Sequence, residues 1–299
     1  MVANSDGSTL IYTDYNGGAG VNRNCLARIF NKTDSPQSLY NQSVDMQKIF
    51  TVAGNYALGC NTWDGATYNN QQATAARMHY PVGITALEDN SEMYISDRNA
   101  HCIFKVNDGG TLSEHVGQCT SAGDISGPLA SAKLTYPGDL QIDSDATYAA
   151  SGNFFLVDRW ITTLSSIKYV NLSASSVDIF GVIIGPGEIG KVISTDGYGG
   201  AVASFGNQIC YSQGANANAY QYPHNVYCVD RSTGITTLRV GKISASVTKA
   251  ATPHYDEEEG VIASSSSLSG PWGITFDSEG NLYIAEYYSN NIRMVKRWF

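Results

Sequence analysis

The sequence has little charge, no basic surplus and no long apolar run. Only 15% of its 299 residues are charged, and the formal net charge is −9. Such a chain lacks the positive field that binds phosphate backbones, so we expect no nucleic-acid partner. No stretch approaches the roughly 20 apolar residues of a membrane helix, so we expect no membrane insertion. Residues 1–7 also lack the basic and apolar regions of a secretory signal.

The chain is rich instead in residues that form short strands and turns. It contains 30 Gly and 19 Tyr, and 42% of its residues are hydrophobic, which is enough to bury a substantial core. Low charge with abundant Gly, Ser, Thr and Tyr is typical of strands, because helices favour Glu, Lys, Ala and Leu. The composition therefore predicts an all-β protein.

An internal repeat runs through the chain. Residues 80–85, 136–140 and 270–275 share one opening around a proline, and each leads into an alternating strand, a polar turn and a second strand. The second strand ends in an acid, which is Asp14, Asp97, Asp158 or Glu286 in four copies. Third strands start at Cys25, Cys102, Ile167, Val226 and Ile292, and fourth strands are predicted at 49–54, 111–117, 177–182 and 235–241. Four antiparallel strands repeated every roughly 45–60 residues are typical of β-propeller blades.

The last copy of the repeat resembles a known family. Residues 271–286 (PWGITFDSEGNLYIAE) and 291–295 (NIRMV) are similar to an NHL repeat almost position for position. The connecting segments 64–81 and 124–137 resemble linkers between the NHL blades of bacterial surface proteins and teneurins. The resemblance implies one β-propeller domain over 1–299, built of NHL-type four-stranded blades. It identifies the fold better than the function, because propellers host unrelated activities.

Five blades are recognisable, and they are predicted at about 1–55, 56–119, 120–185, 186–243 and 244–299. The family commonly closes its ring with six, and closure removes exposed strand edges, so six blades remain the alternative. Residues 1–3 stand where 274–276 stand in the last unit, and that unit stops after its third strand. A segment excised from a longer chain would have such ends.

Two pairs of cysteines occupy equivalent positions in the first two units. One member starts a third strand and the other lies just beyond the end of a fourth strand, and such positions are adjacent in an antiparallel pair. Two further cysteines lie on the second and third strands of the fourth unit. Three disulfides are predicted: Cys25–Cys60, Cys102–Cys119 and Cys210–Cys228. They would place the chain in the periplasm, outside the cell or on its surface, whereas six buried free thiols are the alternative.

Binding residues are expected on the loops between second and third strands, which in a propeller emerge on the same face as the loops that join blades. Aromatic and Arg side chains follow the recurrent acid there, and such residues are favoured in recognition. The predicted ligand-binding residues are Tyr15, Arg98, Arg159, Trp160, Tyr287 and Tyr288. The acid itself is expected to hold its turn through backbone amides. Trp272 and Tyr80 are expected to line or plug the mouth of the channel.

Signals for catalysis and cofactors are few. The five histidines show no metal-ligand spacing, and there is no G-x-S-x-G motif. His101 could act as a base beside Asp97, although a histidine in a solvated turn is the simpler interpretation. No cofactor is expected, and the acidic run 256–259 is a candidate only for a weak calcium site. Three sequons, at Asn31, Asn41 and Asn171, permit glycosylation in a eukaryotic secretory pathway.

These observations favour a binding module over an enzyme. We expect an extracellular or cell-surface adhesion domain that recognises a protein or glycan through its loop-rich face. One alternative is a divalent-metal-dependent hydrolase or lyase, by analogy with gluconolactonase-like and amidating-lyase propellers. It requires three or four Asp, Glu, Asn or His side chains that converge at one depth. Another is a structural domain that contacts other domains of a longer chain.

Overall fold

Short β-strands make up most of the fold. The computed structural model describes residues 1–3, 7–15, 25–55, 69–159, 165–195, 197, 199–214, 224–241 and 262–297. The described residues are nearly all-β, with five successive antiparallel sheets in the blade arrangement of a β-propeller. They form two units, one of Met1–Ile142 with Gly187–Ile189 and the other of Asp143–Pro186 with Gly190–Phe299. In these ranges no helix is long and apolar enough to cross a membrane.

The first sheet of unit 1 has the four strands that the repeat predicts. Its strands, in spatial order, are β1 (Val2–Ala3), β2 (Thr9–Tyr15), β3 (Cys25–Asn31) and β6 (Ile49–Ala53). A small hairpin of β4 (Gln37–Leu39) and β5 (Gln42–Val44) is inserted between β3 and β6. Val2 pairs with Ile11 and Ala3 with Leu10, so residues 2–3 form the first strand of this sheet, as predicted.

The second sheet of unit 1 follows the same plan. Its strands, in spatial order, are β7 (Gln71–Gln72), β11 (Thr111–Val116), β10 (Cys102–Asn107), β9 (Glu92–Asp97) and β8 (Pro81–Ala86). Unit 1 also contains a 3-10 turn at Ala73–Ala75 and the strands β12 (Gly127–Pro128) and β13 (Pro137–Ile142). Apolar residues of both sheets, among them Ile29, Val52, Ile84 and Phe104, form one buried core.

Unit 2 contains α1 (Ala146–Ala149) and three sheets of three or more strands. The first contains β14 (Phe154–Arg159), β15 (Ser165–Asn171) and β18 (Glu188–Ser194), whose first two residues belong to unit 1. The second contains β19 (Gly199–Phe205), β20 (Gln208–Gln213), β21 (Asn225–Asp230) and β22 (Thr236–Val240). After a 3-10 turn at Ala263–Ser265, the third contains β23 (Pro271–Phe276), β24 (Leu282–Glu286) and β25 (Asn291–Val295).

The predicted fourth strand at 177–182 is wrong. These residues form a separate hairpin of β16 (Val177–Ile179) and β17 (Val182–Ile184), and β18 is the strand that lies beside β15. The physical reason is a turn at Phe180 and Gly181, which both have positive φ values of 55° and 81°. Two successive positive φ values are typical of the tight turn of a two-residue hairpin. The third sheet therefore extends beyond residue 185.

The two hairpins are a second repeat, which the sequence analysis missed. Each follows a third strand that ends in a fully buried asparagine, and β4–β5 turns at Tyr40 and Asn41, again with positive φ. The side-chain amide of Asn31 donates to the carbonyl oxygens of Ser35 and Val44. The amide of Asn171 donates to those of Ser175, Ile184 and Gly185. These asparagines hold the hairpins against their sheets. The N-x-S/T motif that Asn31 and Asn171 share is the sequence pattern that could have predicted this second repeat.

Two of the three predicted disulfides are confirmed. Cys102–Cys119 lies in unit 1 and Cys210–Cys228 in unit 2. Cys210 and Cys228 are direct cross-strand partners in β20 and β21, as their distances from the turn predicted. Cys60 lies outside the described residues, so the Cys25–Cys60 bond stays a prediction.

Candidate functional site

In two copies of the repeat, the acid at the end of the second strand holds backbone amides, as predicted. The carboxylate of Asp97 accepts from the N–H groups of His79, Tyr80 and Ala100. Glu286 accepts from the N–H of Ser269 at 2.6 Å. His79 and Tyr80 directly precede Pro81, and Ser269 precedes Pro271, whereas Ala100 lies in the loop that follows Asp97. The acid therefore ties the blade opening to the second-to-third-strand loop.

A cation on the third strand pairs with the acid in three of the four copies, and this pairing was missed. The ion pairs are Asp14–Arg28 (2.9 Å), Asp158–Lys168 (2.8 Å) and Glu286–Arg293 (2.6 Å). In each case the cation lies two residues beyond the cross-strand partner of the acid. Phe104 occupies this position in the remaining copy. Burial raises the pKa of Asp97 there, although three backbone amides favour its ionised form.

In unit 2, the blade opening and the second-to-third-strand loop carry an aromatic cluster. We name it the Trp272 patch (Trp272, Tyr287, Tyr288 and His224). The rings of Trp272 and Tyr287 stack with centroids 4.4 Å apart and an interplanar angle of 15°. Tyr288 meets Tyr287 edge to face at 5.1 Å and stacks on His224 at 6.3 Å. Trp272 is 39% exposed and Tyr287 is 56% exposed. Among the described residues, these are the two exposed aromatic side chains.

Backbone hydrogen bonds fix the Trp272 patch. The N–H of Tyr287 donates to the carbonyl oxygen of Gly270 at 2.8 Å, and the N–H of Gly270 donates to Nδ1 of His224 at 2.9 Å. Gly270 has a φ of +70°, and a Cβ atom there would lie 2.5 Å from the ring of Tyr288. Only glycine suits this position, because any side chain would displace Tyr288.

The equivalent cluster in unit 1 is polar, and we name it the Arg98 patch (Arg98, Tyr80, Tyr136 and His101). The N–H of Arg98 donates to the carbonyl oxygen of Tyr80, as that of Tyr287 does to Gly270. The Cζ atom of Arg98 lies 5.3 Å from the Tyr80 ring centroid and 4.9 Å from that of Tyr136. The N–H of Tyr136 donates to Nδ1 of His101 at 3.3 Å. Such a guanidinium between two rings is held by cation–π attraction.

Three of the six predicted ligand-binding residues fall in these patches: Arg98, Tyr287 and Tyr288. Tyr15 and Arg159 end β2 and β14, but their side chains lie outside the described part of the chain, and so does all of Trp160. His224 was missed, although it precedes a third strand as His101 does. His101 does not lie in a freely solvated turn, because its Nδ1 accepts a backbone hydrogen bond.

Burial lowers the pKa of three histidines, which are His101, His115 and His224. It lowers the pKa of His101, with help from His79 and Arg98, and it lowers the pKa of His224. The pKa of His115, which packs 5.3 Å from the Tyr94 ring, falls to about 4 through burial and the nearby Lys105. Nδ1 of His101 and of His224 must stay unprotonated to accept their backbone hydrogen bonds.

Stability is therefore expected to fall under mild acid. The unfolded chain binds a proton at His115 near its ordinary pKa of 6.5, whereas the folded chain binds it only near 4. The stability that neutral His115 contributes is complete above pH 6.5 and is lost as the pH falls towards 4. By pH 5 the loss in the free energy of unfolding is about 1–2 kcal/mol. Urea unfolding at pH 8, 7, 6 and 5 measures it. A His115→Phe variant should show a shallower loss, and an equal slope in both proteins would contradict this assignment.

Metal and calcium sites find no support in the described residues. In the ranges given above, no group of three or more His, Cys, Asp and Glu side chains is placed to hold a metal ion. The acidic run 256–259 lies outside those ranges. The hydrolase or lyase alternative and the structural alternative stay predictions.

Comparison with known proteins identifies the fold only. No protein-family model matches the chain, and no curated protein matches it. A crystal structure of a nidogen/laminin complex is similar, with a TM-score of 0.55 and 11% identity over 98% of this chain and 73% of that one. A gluconolactonase from Xanthomonas campestris, XC5397, has a TM-score of 0.51 and 10% identity, with coverages of 98% and 73%. These likenesses confirm the predicted β-propeller fold class, while membership of the NHL family stays a prediction.

Proposed function

We propose that this chain is an extracellular recognition module that binds a protein partner through the Trp272 patch. The observation that carries the proposal is the stacked pair of Trp272 and Tyr287, which are exposed together although Trp and Tyr are usually largely buried. Clustered exposed apolar surface marks interaction sites, whereas single exposed residues need no explanation.

The chemistry of the patch suits a protein interface. Trp, Tyr and Arg are the residues that most often dominate binding energy, because they combine large contact area with directional hydrogen bonds. Trp272 and Tyr287 are held in place by each other and by the backbone contacts of Gly270. Binding therefore costs little side-chain entropy, which raises the affinity that a given contact area provides.

The disulfides and the fold are consistent with a binding site outside the cytosol. Two disulfides stabilise the fold, and disulfides persist in oxidising compartments. The similar nidogen/laminin complex is a protein–protein assembly, which gives this fold a precedent for such a role. The Arg98 patch adds a second candidate surface, where the guanidinium of Arg98 could pair with a carboxylate of a partner.

The test is binding of the intact chain to an array of extracellular proteins, with a glycan array in parallel. Trp272→Ala and Tyr287→Ala should each weaken binding to the protein ligand by 2 kcal/mol or more, which is about thirty-fold. Both variants should stay folded, because neither side chain belongs to the buried core, and the melting temperature of each variant checks this. Ile183→Ala, at a residue that is 75% exposed in β17, is the matched control and should leave binding unchanged.

Two outcomes would contradict the proposal. Unchanged protein binding in both variants would show that this patch is not the interface. Binding on the glycan array alone, sensitive to Trp272→Ala, would keep the patch but change the partner from a protein to a glycan.

A further inference from the structure

A groove of about 310 Å³ lies in unit 2, away from the Trp272 patch. β24 runs from Leu282, which lines the groove, to Glu286, which precedes Tyr287. The groove and the patch are thus at opposite ends of this strand. Nothing in the function proposed above uses the groove.

The floor of the groove is apolar. The rings of Phe205 and Phe276 lie 5.7 Å apart at a tilt of 35°, and Leu282 and the Cys210–Cys228 disulfide extend this surface. Gly280 has a φ of +85°, and a Cβ atom there would lie 2.7 Å from the Phe205 ring. A glycine is therefore required for Phe205 to keep this position beside the groove.

The rim carries three cations, although the chain as a whole has a net charge of −9. Arg297 lies with its Cζ 5.2 Å from the Phe205 ring centroid. Nη2 of Arg239 donates to Oε1 of Gln208 at 3.1 Å, and this bond orients the guanidinium. Neither Arg239 nor Lys296 forms an ion pair with any carboxylate in the part of the chain that the structure describes.

Asp277 follows Phe276 in the chain, and its carboxylate already has hydrogen-bond partners. Asp277 accepts hydrogen bonds from the backbone N–H groups of Glu279 and Asn281 and from the side chains of Asn281 and Tyr283. These contacts favour the ionised form and lower the pKa of Asp277. Its carboxylate therefore serves the turn before β24, and Arg239 and Lys296 remain available to an anion from outside.

We infer that this groove binds a small organic acid with a flat apolar body. The body lies on the rings of Phe205 and Phe276, and the carboxylate pairs with Lys296 and Arg239. A volume of about 310 Å³ suits such a ligand, because small-molecule sites are mostly apolar with a few fixed polar groups. Charge-assisted hydrogen bonds then supply the specificity for an anion.

The experiment titrates the ¹⁵N-labelled intact chain with 3-phenylpropionate and follows its amide NMR signals. The amides of Gln208, Leu282 and Arg297 should shift in a saturable way. 3-Phenylpropanol has the same apolar body without the charge, and acetate has the charge without the body. The alcohol and acetate should each bind at least about ten-fold more weakly than 3-phenylpropionate, because one of the two interactions is missing.

Charge variants locate the anion. Arg239→Gln combined with Lys296→Gln should weaken phenylpropionate binding about ten-fold and leave phenylpropanol binding unchanged. Lys48→Gln combined with Lys191→Gln makes the same change in net charge outside the groove and should have no effect. No saturable shift, equal binding of the acid and the alcohol, or unchanged affinity in the Arg239/Lys296 variant would each overturn the inference.

Discussion

Asp158→Ala should lower the free energy of unfolding by about 3–5 kcal/mol, because it leaves the ammonium of Lys168 buried without its carboxylate. Lys168 is fully buried, the side chain of Asp158 is 4% exposed, and the two atoms of the ion pair are 2.8 Å apart. Removing one member of such a pair leaves an uncompensated charge in a medium that solvates it poorly.

The repeat provides a matched control for this prediction. Asp14 and Arg28 form the equivalent pair in unit 1, but their side chains are 30% and 26% exposed. Water can replace the lost partner there, so Asp14→Ala should cost only about 0–1 kcal/mol. Urea unfolding of both variants at pH 7 measures the difference. Equal losses would show that burial does not decide the contribution of this pair.

Asn171→Ala should lower stability by about 3 kcal/mol or more, because it leaves carbonyl groups without their donor. The side-chain amide donates to three carbonyl oxygens at 2.9, 2.9 and 3.0 Å, and Oδ1 accepts from the N–H and hydroxyl of Ser173. Asn171 is fully buried, so water does not readily replace these bonds. The β16–β17 hairpin should separate from β15 in the variant.

Asn41→Gly is the control for the asparagine prediction. Asn41 is exposed at the turn of the β4–β5 hairpin and has a φ of +57°, which glycine adopts without strain. The free energy of unfolding of the Asn41→Gly variant should match that of the unmodified protein. Hydrogen exchange can follow the amides of 177–184, which should lose protection in Asn171→Ala alone. Unchanged protection there would contradict the role given to Asn171.

The sequence predicted the strands wherever the repeat is regular. The alternation at 271–286 matches β23 and β24, because the buried face of a strand requires a period of two. It failed at 171–190, where a buried asparagine and a Phe-Gly turn divert the chain into an additional hairpin before the fourth strand. A tertiary hydrogen-bond network decided that segment, and periodicity alone does not report such a network.

The candidate site was only partly predictable. The aromatic and Arg content of the loops pointed to Arg98, Tyr287 and Tyr288. The partners of Arg98 lie 18 and 38 residues away at Tyr80 and Tyr136, and only the packing of blade openings brings them together. The stacking of Trp272 on Tyr287 likewise depends on the backbone bond between Tyr287 and Gly270.

The buried asparagines also decide where a sugar chain could be attached. The amide nitrogens of Asn31 and Asn171 both point into backbone carbonyls, so an oligosaccharide linked there would break the bonds that fasten the hairpins. Asn41 is exposed at its turn. In a secretory pathway that recognises N-x-S/T, the folded chain would therefore tolerate a glycan at one of its three sequons, on the tip of a hairpin.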